Sequence, residues 1–153
     1  MNKRNLRESQ IHALNYISNY AKYKKEKAVK DINSILKMSN IDTDLLESAI
    51  SKIKKNARIS IHFHPDRLTN DLKSVSESLL ECGFYKNQFE TLISNGSVSA
   101  YSGGERDLWE QKLFNGAYKS EEDNINRPKY GSLNIMLHGD GSSPRFGSCY
   151  FLL

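Results

Sequence analysis

The densest chemistry in the chain is H-F-H-P-D-R, His62 to Arg67. On an extended strand His62 and His64 share a face, roughly 6 to 7 Å apart. That spacing suits a shared divalent metal such as Zn or Mn, with Asp66, His138 or Asp140 completing the ligand set of a metal-dependent hydrolase. Arg67 adds a planar fork that matches phosphate or carboxylate. A second group lies in G-D-G-S-S-P-R-F-G-S, residues 139–148. Its glycines expose backbone amides, and Ser142, Ser143, Ser148 and Arg145 add hydroxyls and a guanidinium, the donors of a pyrophosphate cradle. Gln88, Glu90 and Ser94 form a third group inside an apolar segment, with Glu90 the candidate base.

These residues need elements to hold them. R-I-S-I-H-F alternates Ile59, Ile61 and Phe63 against Ser60, His62 and His64, which predicts a half-buried strand that Pro65 stops. His64-Pro65-Asp66 is also the tripeptide of chaperone J-domains, but the β-branched lead-in predicts strand where that domain needs helix. Upstream, Arg4 to Lys37 lacks Pro and Gly and repeats apolar residues at three and four. It predicts a long amphipathic helix, broken near the Lys22 to Lys27 charge run, with Tyr16, Tyr20 and Tyr23 packed beside the stripe against a second helix. That second helix starts from an Asp42 or Thr43 cap and runs to about Asn56, and the two are expected to pair antiparallel.

Downstream, Thr69 or Asn70 is expected to cap a helix ending at Gly83. Tyr85 to Gly96 reads as neither helix nor strand, and Ser94-Asn95-Gly96 reads as a turn. Ser97 to Tyr101 predicts a short strand. Ser102-Gly103-Gly104-Glu105 reads as a capping box opening a helix to about Phe114, closed by Asn115-Gly116. After an exposed acidic loop, Ser120 to Asn126, strands are predicted at Ser132 to His138 and Cys149 to Leu153, joined as a hairpin with a long tip.

The 153 residues fit one domain with a helical addition. Of the net charge of +4, residues 1–58 carry 13 basic and 6 acidic side chains, and the rest carries 9 and 12. The basic end suits nucleic acid or an acidic protein partner, so a non-catalytic binding module stands as a further class. Two distant cysteines, Cys82 and Cys149, argue against a disulfide scaffold or structural zinc. No signal peptide or membrane-length apolar run appears, so a reduced cytoplasmic setting, or secretion by a signal-less route, is expected with no membrane partner.

H-F-H-P-D-R, Y-K-N-Q-F-E-T-L-I-S-N-G, G-G-E-R-D-L-W-E with L-F-N-G-A-Y, R-P-K-Y-G-S-L-N and S-P-R-F-G-S-C-Y, in that order, resemble a bacterial family catalogued only as a domain of unknown function. The resemblance spans about Ile59 to Leu153. That family is similar in outline to the ADP-ribosyltransferase superfamily, which includes toxins and effectors. The resemblance implies that Arg67 or His62, with His64 beside them, holds NAD, and that Tyr130, Arg145 and Ser148 line the pocket. It also implies a transferring Glu in an E-x-Q-x-H-G segment that has no match here. Glu90 is left as the candidate catalytic carboxylate, and the F-L-L ending suggests truncation. The expected architecture is α+β: a helical pair over 1–57, then a small mixed β-sheet with flanking helices over 58–153, ADP-ribosyltransferase-like and incomplete.

Overall fold

In a computed structural model that describes residues 5–94, 98 and 100–153, the chain is α+β with a helical N-terminal region. Helix α1, Glu8–Met38, runs unbroken through the lysine run. Lys, Glu and Ala are strong helix formers, so a charge run without Gly or Pro does not interrupt it. Helix α2, Thr43–Asn56, starts where Asp42 accepts from the Asp44 amide at 3.1 Å.

The expected antiparallel pairing of α1 and α2 is not formed, because no α2 residue is buried and Leu45 and Ile50 stay exposed. Instead the first turns of α1 dock on the body. Ala13 is buried with Phe114, Ala117 and Tyr118, and Gln10 Nε2 donates to the Asn126 carbonyl at 3.1 Å.

The sheet has three strands in the order β2-β1-β3: β1 is Arg58–Phe63, β2 Ser132–Asn134 and β3 Cys149–Leu152. Both neighbours run antiparallel to β1, so the sheet is not mixed. Nor do β2 and β3 form a hairpin. They flank β1 on opposite sides, and residues 135–148 must cross from one edge to the other. β2 ends early because the Asn134 side chain turns to the His138 backbone, donating at 2.9 Å and accepting at 3.0 Å.

The short helices follow their strongest caps. Helix α3, Val75–Cys82, starts at Ser74 and not at Thr69 or Asn70, since Ser74 and Glu77 form a reciprocal box. It ends at Gly83 in the left-handed conformation, as expected. Helix α4, Gln88–Thr91, is a single turn capped by Asn87. Helix α5, Glu105–Leu113, begins at Gly104 without a serine cap, and the Gly103 amide donates to Asp107 Oδ2 at 2.8 Å. Asn115 and Gly116, both at positive φ, close it. The acidic loop is a 3₁₀ turn, Glu121–Asn126. The turn at Ser94-Asn95-Gly96 and the strand over Ser97 to Tyr101 fall largely outside the described residues.

The polar face of β1 is better buried than its apolar face. Ser60 and His62 are buried while Ile59 is 45% exposed. The reason is the crossing loop, which lies on Ser60 and His62 and comes closest at Gly147. Gly147 has φ +147°, and a Cβ there would run into the backbone of Phe63. Gly147→Ala should therefore lower stability by about 1 to 3 kcal/mol. Gly139→Ala, with no atom within 4 Å of its Cβ position, should be far milder. Urea unfolding midpoints of the two variants check this, and equal midpoints would refute the close approach.

Candidate functional site

A cleft of about 240 Å³ opens between the polar face of β1, α4, α5 and the segment leading into β2. Glu110 of its α5 wall is held by Arg127, a guanidinium almost wholly out of water. Arg127 Nη2 donates to Asp107 Oδ1 at 2.7 Å, Nη1 to Glu110 Oε2 at 2.9 Å, and Nε to Asn124 Oδ1 at 3.0 Å. The guanidinium also lies 3.9 Å from the centroid of the Phe89 ring. Helix geometry explains the pair of acceptors, since Asp107 and Glu110 are one turn apart on one face of α5.

Glu110 extends the network into the cleft. Its Oε1 accepts from Tyr130 Oη at 2.8 Å. Burial, and then the Glu110 charge, push the Tyr130 phenol far above its ordinary range, so it stays a donor. For Asp107, burial pushes the carboxyl up. The Gly103 amide and Arg127 together outweigh that and hold it below the ordinary carboxylate range.

Two polar atoms of cleft-lining residues stand outside this network. Arg106 Nε and Gln88 Oε1 are buried, and neither has a hydrogen-bond partner among the described residues. The Arg106 guanidinium lies 5.8 Å from the centroid of the Tyr130 ring. Both side chains line the cleft together with Tyr85, Phe89 and Phe146, so a ligand there would meet a cationic guanidinium, an amide and aromatic rings.

Of the residues singled out from sequence, His62, Gln88, Tyr130 and Ser143 line this cleft. The other site residues do not. Arg67 is exposed and donates to the Ser94 carbonyl, Arg145 packs over its neighbour Phe146, and Ser148 is exposed. His64 is half-buried beyond the strand end and is not among the cleft's walls. Glu90 Oε2 accepts from the Asn87 amide at 2.8 Å, closing the cap of α4. Asp66, His138 and Asp140 are exposed, and among the described residues no three His, Cys, Asp or Glu side chains are grouped to hold a metal.

His62 itself is committed to the crossing loop. Its Nε2 accepts from the Ser143 amide at 3.2 Å and its Nδ1 donates to the Gly147 carbonyl at 3.0 Å, which selects the neutral Nδ1–H tautomer. The ring stacks on Tyr150 at 5.1 Å, and a Cβ at Gly141 would collide with it. This corrects the expected phosphate cradle. The amide of Ser142 donates to Ser60 Oγ and that of Ser143 to His62, while Gly141, Phe146 and Gly147 donate to carbonyls within the loop. Those donors are spent on folding.

Arg106, Asp107, Glu110 and Arg127 are the residues that sequence reading passes over as site residues. No local signal marks them: the apolar residues of α5, Leu108, Trp109 and Leu113, are about half exposed, and its buried residues are the carboxylates Asp107 and Glu110.

Arg127→Leu should cost about 3 to 5 kcal/mol, because it strands two buried carboxylates. Denaturant unfolding measures this, and a loss under about 1 kcal/mol would mean that the network is solvated. Because the folded Asp107 carboxyl lies below its unfolded value of about 3.9, its contribution is fully present above that pH and is lost as pH falls through the folded value. Stability should therefore decline below about pH 4, and Asp107→Asn should flatten that acid limb.

No curated protein and no solved structure matches the chain. A family profile, described as protein of unknown function (DUF3626), matches residues 58–153, the segment that builds the sheet and every wall of the cleft, and the chain belongs to that family.

Proposed function

We propose that the domain binds a nucleotide in this cleft, with NAD as the first candidate, as an ADP-ribosyltransferase-like module. One observation carries the reading: Arg106 and Gln88, each with a buried side-chain atom that has no partner among the described residues, line the same aromatic-walled cleft. A guanidinium N–H suits a phosphate oxygen, and an amide oxygen suits the carboxamide of nicotinamide or the amino group of adenine. Tyr85, Phe89, Tyr130 and Phe146 offer ring faces for a base. At about 240 Å³ the cleft is smaller than the common range for ligand pockets, so it takes one nucleoside-sized half of a dinucleotide.

On this reading Arg106 takes the role that the sequence resemblance gives to Arg67 or His62. Bound NAD would supply ADP-ribose, with nicotinamide leaving and a protein or nucleic acid accepting. Glu110 is the carboxylate on the cleft wall, and its charge would face the positive ribose as that bond breaks. Tyr130 holds its Oε1 and Arg127 its Oε2, which sets the orientation of that charge.

Titration calorimetry with NAD and with ADP-ribose tests binding. Arg106→Gln should weaken NAD at least tenfold while leaving the unfolding midpoint in place, and Arg67→Ala should change little. Absence of heat with both ligands, or equal loss in the two variants, would overturn the assignment to this cleft. Release of nicotinamide, followed by chromatography, tests the transfer step separately.

A further inference from the structure

Outside the matched domain, α1 carries a second pattern. At 3.6 residues per turn, Tyr16, Tyr20, Tyr23, Lys24, Lys27 and Lys30 fall within about a third of the helix circumference. The sequence expectation is that another helix covers the rings. Instead Tyr20 is 53% exposed and Tyr23 78%. The rings are nonetheless arranged: Tyr16 and Tyr20 stack with centroids 6.3 Å apart, and Lys24 Nζ lies 5.6 Å from the Tyr20 centroid and 5.3 Å from that of Tyr23. Among the described residues none of these lysines forms an ion pair, although Asp31 falls within the same arc and Glu26 borders it.

We propose that this Tyr–Lys face of α1 binds single-stranded nucleic acid, with the lysines on phosphates and Tyr20 and Tyr23 stacking on bases. Charge complementarity selects the occupant. An acidic protein would answer the lysines but leave the exposed rings without flat partners. A second copy would set lysine against lysine. A lipid surface would engage the Ile and Leu side chains of α1, which lie on a different arc. Unpaired bases offer π-faces and phosphates together, which is the combination that sequence-tolerant single-strand binders use. The proposal does not rest on the cleft or on what the cleft binds.

The test uses the full chain and a fluorescein-labelled oligothymidylate of about 15 nucleotides, read by anisotropy across a salt series. Binding should weaken with salt along a log–log slope of about −2, as three phosphate contacts imply. The double variant Tyr20→Ala/Tyr23→Ala should lose about tenfold in affinity with the slope retained. Lys27→Gln/Lys30→Gln should flatten the slope. Circular dichroism of each variant verifies that helix content is kept, and Arg106→Gln should bind like the parent. No binding at about 50 mM salt, or a tyrosine variant as tight as the parent, would overturn the proposal. So would retention on phosphatidylserine vesicles in place of the oligonucleotide.

Discussion

Arg127 is a cation held where water cannot solvate it, and much of the domain is arranged to make that tolerable. A buried guanidinium is costly unless opposite charges and acceptors meet its donors. Here α5 contributes two carboxylates from successive turns, the 3₁₀ turn contributes Asn124, and the Phe89 ring covers one face. The arrangement joins segments far apart in sequence. The Arg127 carbonyl and that of Asn124 also accept from Asn87, which caps α4 through its Oδ1. One residue thus fixes α4 against α5 and sets the orientation of Glu110 and, through it, Tyr130. The α4 and α5 walls of the cleft follow from that charge pairing.

The second constraint is the crossing loop on β1. A strand whose polar face carries Ser60 and His62 needs something polar to cover it, and a loop rich in glycine can approach closely enough to do so. Ser60 Oγ meets Ser142 at 2.6 Å, and both nitrogens of His62 meet loop backbone. The loop that looks like a ligand cradle in isolation is instead the lid of a strand. Its glycines serve backbone proximity at Gly141 and Gly147.

The N-terminal helices obey a different economy. Apart from Ala13 and Leu36, α1 buries none of its residues, and α2 buries none. Helix propensity and capping are enough to define both as helices, and beyond the docked first turns of α1 most of their apolar and basic side chains stay exposed. The acidic share of the charge lies with the body and the basic share with these helices, so the two regions present opposite surfaces to solvent.

Local sequence determined the elements wherever a local force decides: α1 and α2 from periodicity, the β1 strand from alternation ended by Pro65, and the ends of α3 and α5 from Gly83 and Asn115-Gly116. It misplaced starts where two caps competed, as at Ser74 and Gly104, because capping energies differ by little. Of the residues singled out from sequence, His62, Gln88, Tyr130 and Ser143 are cleft residues, the first because it sits on the central strand. The rest depended on pairings between distant segments. Nothing in the spacing of Asp107, Glu110 and Arg127 states that they meet, and nothing in the glycine-rich loop states that it crosses β1 instead of turning back beside it. Both are settled by long-range burial, where each polar group must find a partner, and that requirement exists only once the chain has closed around it.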